Sequence, residues 1–449
     1  MVGSAELIEQ MFDESSQRAN IAYGMNQRYK LKPASRFMFR DARNADGVPI
    51  MAKRSITPNT INNLLHTPFD RIIVNSKVAY YASSINLTFD ERIPQVVQDF
   101  YRSLDERASF KSFQLTMAKN CVDQGTSYVL CWIDEYKEFH VAPSPTISTY
   151  VMYNTLSQLP EYGFRYSSEI CEVYDGIEMT IWSHQNGAWI PGETISHGMG
   201  TVSRPMVPIV ELRNNPEKLS NPEMTLSLQD AYDISLSDLS SEIGQMRMAY
   251  LLTKGLGDDA DAIKAQLSEA GVIVADADGD ASFISKDLKP DAVRLLQDTL
   301  RKLIFEGAAS YDPSAYVEGG TPPTAYQVSE RLQPLEMDCE ITIAEWKMGL
   351  RIFDYLIQTH LMMFGGSGEY DINGIDRIFR RVAPRNTLQA LSDAKNAGMV
   401  LSNQTMIELS GLQIDPAEEM ARVESENQLL PDGNNDNTNV GETDTGAQT

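Results

Sequence analysis

Four cysteines and five histidines are the residues from which a metal or thiol centre would be built. Cys121, Cys131, Cys171 and Cys339 form no CxxC pair, and the histidines are equally scattered, so no clustered zinc ligand set is legible. Cys131 lies in the apolar run Tyr128-Val-Leu-Cys-Trp-Ile133, where a free thiol behaves as a small buried hydrophobe. All four read as reduced structural thiols. Asp258, Asp259 and Asp261, and then Asp276, Asp278 and Asp280, bring carboxylates close together without the frame of an EF-hand loop, and they read as solvated acidic turns. Gly365-Gly-Ser-Gly368 follows a helical pattern rather than a strand and has no lysine after it, so it is a poor phosphate cradle. No GxxxxGK[ST] segment is present, and neither a Ser/His/Asp nor an HExxH arrangement is recognisable. The expectation is a protein without a cofactor that is not an enzyme.

The chain has 449 residues, too many for one hydrophobic core, and its apolar fraction of 42% is enough for a buried interior. No apolar run reaches about 18 residues, so a membrane-spanning helix is not expected. The first ten residues lack the profile of a secretory signal, which reads as a cytosolic product. Net charge is −24. A protein that grips nucleic acid by neutralising phosphates should be basic, so an ordinary DNA-binding module is excluded unless the basic residues gather on one face. A protein that touches DNA without holding it remains open, because a weakly repulsive wall lets a polyanion slide. One basic, irregular stretch stands out: Arg28, Lys30, Lys32, Arg36, Arg40, Arg43, Lys53 and Arg54, with a turn at Asp46-Gly47.

The periodicity predicts the elements that position these residues. Residues 5–30 carry a helical pattern, as do 69–81 and two segments within 91–122. From Thr126 to Pro208 the period changes to two, with turn signals such as Gln185-Asn-Gly187, which predicts antiparallel sheet. Helices then return. A long one is expected over 222–253, with Leu226, Leu228, Ala231, Tyr232, Leu236, Leu239, Ile243, Met246 and Leu251 as its apolar face, Pro222 at its start and Gly255 at its stop. A small insert follows, with a helix at 258–269 and strands at 271–275 and 281–285 around Asp278-Gly-Asp280. Another helix spans 291–309. A Gly/Pro-rich loop covers 311–324, and a very long helix runs from 325 to 364 on the stripe Leu332, Leu335, Cys339, Trp346, Leu350, Phe353, Ile357 and Leu361. Pro334 falls inside it, where a proline removes a backbone bond and kinks the helix. Two or three helices are expected over 386–429, and the Asn/Asp/Gly/Thr-rich end from Pro431 is expected to be disordered. The class is α+β, mainly helical.

Several segments, in order, resemble the SPP1-like portal family of siphophages. Pro205-Met-Val-Pro-Ile-Val-Glu-Leu-Arg-Asn-Asn215 is followed by Leu228-Gln-Asp-Ala-Tyr-Asp233, by Ser237-Asp238 and by Ala249-Tyr-Leu-Leu-Thr-Lys-Gly255. Asn62-Asn63 and Ile73-Val-Asn-Ser-Lys-Val-Ala-Tyr80 resemble the family's early motif. Gly398-Met-Val-Leu-Ser-Asn-Gln-Thr405 and the acidic segment 415–426 resemble its finish. The likeness spans about 20–428. It departs at Thr324-Ala-Tyr-Gln-Val328, where the family often has Ser-Gly-x-Ala-Leu.

The resemblance implies a portal-type fold: an N-terminal α/β wing (1–221), a stem helix (222–255), a clip (256–286) and a second stem helix (287–310). A tunnel loop (311–324), a long kinked wing helix (325–364), a helical crown (365–430) and a disordered acidic tail (431–449) complete it. It implies a dodecameric ring at the virion's portal vertex between head and tail, assembled in the host cytoplasm. That ring would conduct double-stranded DNA non-specifically during packaging and ejection and would nucleate capsid assembly. The implied partners are the terminase large subunit, which supplies the motor, a head-completion or adaptor protein, and the major capsid and scaffolding proteins; no membrane is implied. On this resemblance Gly319, Gly320, Thr321, Pro322, Pro323 and Thr324 would face DNA and Glu242, Arg294, Arg301 and Lys302 would line the stem channel. Pro334 would supply the kink, and Asp258, Asp259, Asp278 and Asp280 would face the terminase on the clip. Two other readings stand beside it. A capsid-associated scaffold or adaptor would form no open ring, and an enzyme with an unrecognised carboxylate site would fail on loss of one or two acids.

Overall fold

The structure, a computed structural model, describes residues 2–32, 63–167, 169–246, 290–312 and 325–381, with short strands at 42–43, 49–50, 250–254 and 280–284 and single residues 396, 420 and 422. The chain divides into two units, Met1–Pro322 with Ser329–Val382, and Pro323–Val328 with Ala383–Thr449. Of the second, only 325–328, 396, 420 and 422 are described.

The first unit opens with α1 (Ala5–Tyr29), capped by the Ser4 hydroxyl, which accepts the Leu7 N–H. Strands β1 (Ala42–Arg43) and β2 (Pro49–Ile50) pair antiparallel, on either side of the expected Asp46-Gly47 turn. Next come α2 (Phe69–Tyr81), β3 (Ser84–Phe89), α3 (Gln95–Glu106) and α4 (Ala108–Gln124). Helix α4 stops at Gly125, whose φ of 82° is the left-handed conformation natural to glycine. A Cβ there would also lie 1.9 Å from the Lys218 carbonyl oxygen.

Eight strands follow: β4 (Thr126–Ile133), β5 (Phe139–Ser144), β6 (Thr149–Tyr153), β7 (Pro160–Tyr166), β8 (Ile170–Tyr174), β9 (Glu178–Gln185), β10 (Ala188–Ser196) and β11 (Ile209–Arg213). The alternation expected over 126–208 resolves into two antiparallel sheets, ordered β10-β9-β8-β7-β6 and β11-β4-β5. Ile8 and Met11 of α1 pack on the five-stranded sheet against Phe164, Cys171, Val173, Trp182 and Trp189. Each such large apolar side chain contributes about 1.5–3 kcal/mol on burial. Val2 anchors the chain start, its N–H donating to Thr180 Oγ1 at 2.7 Å and its carbonyl accepting from Trp182 Nε1 at 3.0 Å.

A 3₁₀ turn over Pro222–Thr225 leads into α5 (Leu226–Met246), which ends earlier than the expected 253. Residues 250–254 instead form β12 (Tyr250–Lys254), paired with β13 (Asp280–Ile284) so that Lys254 stands opposite Asp280. Tyr250-Leu-Leu-Thr is apolar and strand-prone, and cross-strand pairing there wins over helix propensity. The expected hairpin partner at 271–275 lies outside the described residues. Helix α6 (Pro290–Gly307) packs on α5, with Ile304, Phe305 and Ala308 beside Phe69 and Ile73.

Helix α7 (Ala325–Met363) follows, with Pro334 inside it. Its buried face carries Leu332, Leu335, Cys339, Trp346, Phe353, Ile357 and Leu361, seven of the eight stripe residues read from the sequence. Gly349 lets the helix approach β11 closely, because a Cβ there would lie 2.5 Å from the Glu211 carbonyl oxygen. Within the range expected to form the helical crown, 375–380 is a strand. This is β14 (Ile375–Arg380), paired antiparallel with β3. Its Ile375-Asp-Arg-Ile-Phe segment suits a sheet edge better than a helix.

Candidate functional site

The sequence expected α5 to bury its leucines. Its buried face is polar instead: Gln229, Asp230, Asp233, Ser237 and Ser241. The segment 63–67 lies along that face, and its alternate backbone amides are donors. Asn63 N–H donates to Ser241 Oγ at 2.8 Å, Leu65 N–H to Ser237 Oγ at 2.9 Å and Thr67 N–H to Asp233 Oδ1 at 2.9 Å. The spacings agree: four helical residues rise about 6 Å, and two extended residues span about 6.6 Å. Helix side chains thus stand in for a neighbouring β-strand and satisfy amides that would otherwise be buried without partners.

Two charged side chains lock this face to the helices around it. Arg28 at the end of α1 is buried and donates from Nε to Asp70 Oδ1 at 3.2 Å, from Nη1 to Asp230 Oδ1 at 2.8 Å and from Nη2 to Gln229 Oε1 at 3.3 Å. Burial lowers its pKa, but the carboxylates of Asp70 and Asp230 more than offset that and hold it above the usual value. Lys77 of α2 places its three donors on three acceptors, Asn214 Oδ1 at 2.9 Å, Asn221 Oδ1 at 3.0 Å and Asp338 Oδ2 at 2.7 Å. Thr342 Oγ1 completes the join from α7, donating to the Asn214 carbonyl at 2.8 Å.

On β11, Glu211 is buried and accepts from Lys218 Nζ and Arg213 Nε, both at 2.7 Å, and from Tyr128 Oη at 2.9 Å. Burial pushes its pKa up, and the two cations bring it below the ordinary value. The motif residues Lys77, Asn214, Asn215, Asp230, Asp233 and Ser237 are therefore interior groups that hold α1, α2, α5, β11 and α7 together. Buried polar clusters of this kind fix one arrangement of elements, since a half-satisfied version is costly.

The expected stem residues lie on α5 and α6. Glu242 is half-buried on α5. Arg294 and Lys302 are largely exposed, each 3.7 Å from a carboxylate one turn on, Asp298 and Glu306. Such exposed pairs are weak, and both cations remain available to an outside anion. Arg301, also expected to line the stem, is engaged within the chain: Nε and Nη2 both grip Asp312 at 2.7 Å, and its guanidinium carbon lies 5.4 Å from the Phe305 ring centre. That hydrogen-bonded pair raises the Arg301 pKa. Arg301, Lys302 and Pro334 meet at one groove of about 680 Å³ between α6 and α7. Gly319, Gly320, Thr321, Pro322, Pro323, Thr324, Asp258, Asp259 and Asp278 lie outside the described residues, and Asp280 is placed only by its register in β13.

All four cysteines are buried and free, as the sequence reading held. Burial pushes the Cys121 thiol up to about 12, which disfavours the thiolate. One grouping had no sequence signal. Asp134, Glu138 and His140 meet at the β4–β5 hairpin, their ligand atoms within 4.8 Å of one another. Asp134 is already engaged there, Oδ2 with His140 Nε2 at 2.8 Å and Oδ1 with the N–H groups of Tyr136 and Glu138. Among the described residues no helix is long and apolar enough to cross a membrane.

A protein of helices and antiparallel sheets, with a buried polar network joining α1, α2, α5, β11 and α7, stands beside the order of motifs read from the sequence. The family described as phage portal protein, SPP1 Gp6-like, matches residues 20–429, and the chain belongs to that family. It is similar to the portal protein of Bacillus phage SPP1, 24% identical over 400 residues, covering 81% of this chain and 76% of the relative. Among solved structures it is similar to a chain from the neck of an empty gene transfer agent particle, with 12% identity, a TM-score of 0.44 and coverage of 77% of this chain and 90% of that one. A chain from the virion of the native gene transfer agent particle has 10% identity, a TM-score of 0.43 and coverage of 77% and 91%.

Proposed function

We infer that the protein is a phage portal subunit. Copies of it form a ring of about twelve that conducts double-stranded DNA at one vertex of the virion. The family match over 20–429 carries this reading. The protein acts as a conduit and not an enzyme, and it is assembled in the host cytoplasm. It starts capsid assembly, passes DNA inward during packaging and outward during ejection, and joins head to tail. A terminase, an adaptor and the capsid and scaffolding proteins are its partners.

Two observations support ring formation. A closing ring needs two different faces, one on each side of the subunit. Helix α7 exposes Met337, Ile341 and Met348 with Ala344 between them, a three-and-four spacing that makes a coiled-coil-like seam. Helix α6 exposes Leu295, Leu296 and Leu303. These two apolar strips suit α6 of one copy meeting α7 of the next. The stem cations Arg294 and Lys302 and the loop Gly319–Thr324 are the proposed DNA-facing groups, and the Asp258, Asp259, Asp278 and Asp280 region is the proposed terminase-facing one.

Native mass spectrometry with negative-stain imaging tests the ring. A ring of about twelve subunits with a central hole is expected. A closed assembly without a hole favours the scaffold or adaptor reading. Deletion of 318–323 tests the loop: packaging of full-length DNA unchanged by it removes the loop from the mechanism.

A further inference from the structure

The basic stretch that begins at Arg28 is not absorbed by the channel. Between residues 28 and 54 the sequence holds eight basic residues and only Asp41 and Asp46 as acids, with Tyr29, Phe37 and Phe39 among them, in a chain of net charge −24. Its first part is described in the structure, and there cations from other helices join it. Lys119 Nζ of α4 lies 4.7 Å from the centre of the Tyr29 ring, and the Arg71 guanidinium of α2 lies 5.8 Å from the same centre. Lys30 follows Tyr29 at the end of α1. Arg71 and Lys30 are exposed and Lys119 is half-buried.

Among the described residues no carboxylate lies within 4 Å of any of the three cations. Of the two nearby acids, Asp70 is held by Arg28, and Asp123, which feels the charges of Lys119 and Lys30, accepts from Asn26 and is buried with its pKa raised by desolvation to about 7. Tyr29 Oη donates to Asn75 Oδ1 at 2.9 Å, which leaves the Asn75 amide N–H groups for a further acceptor. Like charges gathered round one ring repel each other, and an outside polyanion relieves that repulsion. Interleaved cations and an aromatic ring suit a phosphodiester backbone better than a carboxylate peptide.

We propose that Arg71 and Lys119, set over the Tyr29 ring, and Lys30, next to Tyr29 in the chain, form a phosphate-contacting site for double-stranded nucleic acid, on elements distinct from the α6 cations of the proposed channel. The choice of nucleic acid over an acidic protein segment rests on the portal reading; the site itself does not.

The test is titration of a short labelled DNA duplex with the full-length protein at several salt concentrations. Three proteins are compared: the unmodified chain, Arg71→Gln with Lys119→Gln, and Arg294→Gln with Lys302→Gln. Losing two phosphate contacts should weaken binding about tenfold or more at low salt and reduce the slope of log K against log salt by about 1.8. Lys30→Gln alone is the milder variant, expected to reduce the slope by about 0.9. Unchanged affinity and slope in both overturn the proposal. Displacement of the duplex by polyglutamate at equal charge overturns nucleic acid as the occupant. A loss only in the Arg294/Lys302 variant removes this site and leaves the channel reading standing. A loss only in the Arg71/Lys119 variant supports this site and counts against those channel cations. Unchanged thermal unfolding of each variant confirms that binding, not folding, is being read.

Discussion

Lys77 Nζ lies 2.7 Å from Asp338 Oδ2, joining α2 to α7 across 261 residues of chain, with the lysine side chain 1% exposed. Asn221 Nδ2 donates to the same carboxylate oxygen at 2.6 Å. One buried cation thus gathers the Asn-rich turn after β11 and the long helix into a single arrangement.

Replacing Lys77 by Met should leave the buried Asp338 carboxylate without its cation and take one donor each from Asn214 Oδ1 and Asn221 Oδ1. Breaking a buried pair from one side costs about 3–5 kcal/mol. Urea denaturation should show that loss, and Lys77→Met combined with Asp338→Leu should recover part of it. A loss below about 1 kcal/mol would mean the network contributes no more than a surface pair.

The amide ladder on α5 makes a local prediction. Asp233 Oδ1 accepts from both the Thr67 N–H and the Thr67 hydroxyl, the latter at 2.6 Å. Asp233→Ala removes both bonds and should destabilise by about 1–3 kcal/mol. Hydrogen exchange should quicken at residues 63–67 before it quickens in β4 or β11. Uniform acceleration across the chain would argue against a local ladder.

Asp123 gives the stability a pH dependence of known sign. Burial raises its folded pKa to about 7 from the ordinary 3.8, while Asn26 Nδ2 donates to Oδ2 at 2.9 Å. Between those two values the folded state holds a proton that the unfolded state has released. Its contribution is therefore greatest below about pH 4, falls as pH rises towards 7 and is flat above. Asp123→Asn keeps an acceptor for Asn26 and removes the titration, so the variant should be the more stable protein at about pH 8 by a few kcal/mol and nearly equal at about pH 4. Parallel stability curves for the two proteins across this range would refute the shift.

The α7 seam predicts an assembly phenotype. Ile341 is 49% exposed and Met348 52%, so a charge at either costs the single chain little. Ile341→Asp should leave circular dichroism and melting nearly unchanged while native mass spectrometry shows monomers in place of rings. Rings that survive both Ile341→Asp and Met348→Asp would place the contact elsewhere.

The element types were legible in the sequence because hydrophobic periodicity survives folding. The stripe from Leu332 to Leu361 set one face of α7, and the change to period two at Thr126 set the sheet region. The four cysteines, with no partner spacing, were already readable as buried thiols. The division of the strands into two sheets was not, since which strand pairs with which is a long-range choice. The β12–β13 pairing of 250–254 with 280–284 and the β3–β14 pairing of 84–89 with 375–380 are two cases where a distant partner decides a short segment. The burial of α5 was misjudged for a related reason. Asp230, Asp233, Ser237 and Ser241 look like a solvated face until Arg28, Thr67 and Asn63 arrive from elsewhere in the chain to satisfy them. Apolar burial depends on each residue's own type and so can be read locally. A buried polar group is tolerable only with its partners, and only the tertiary structure brings those partners together.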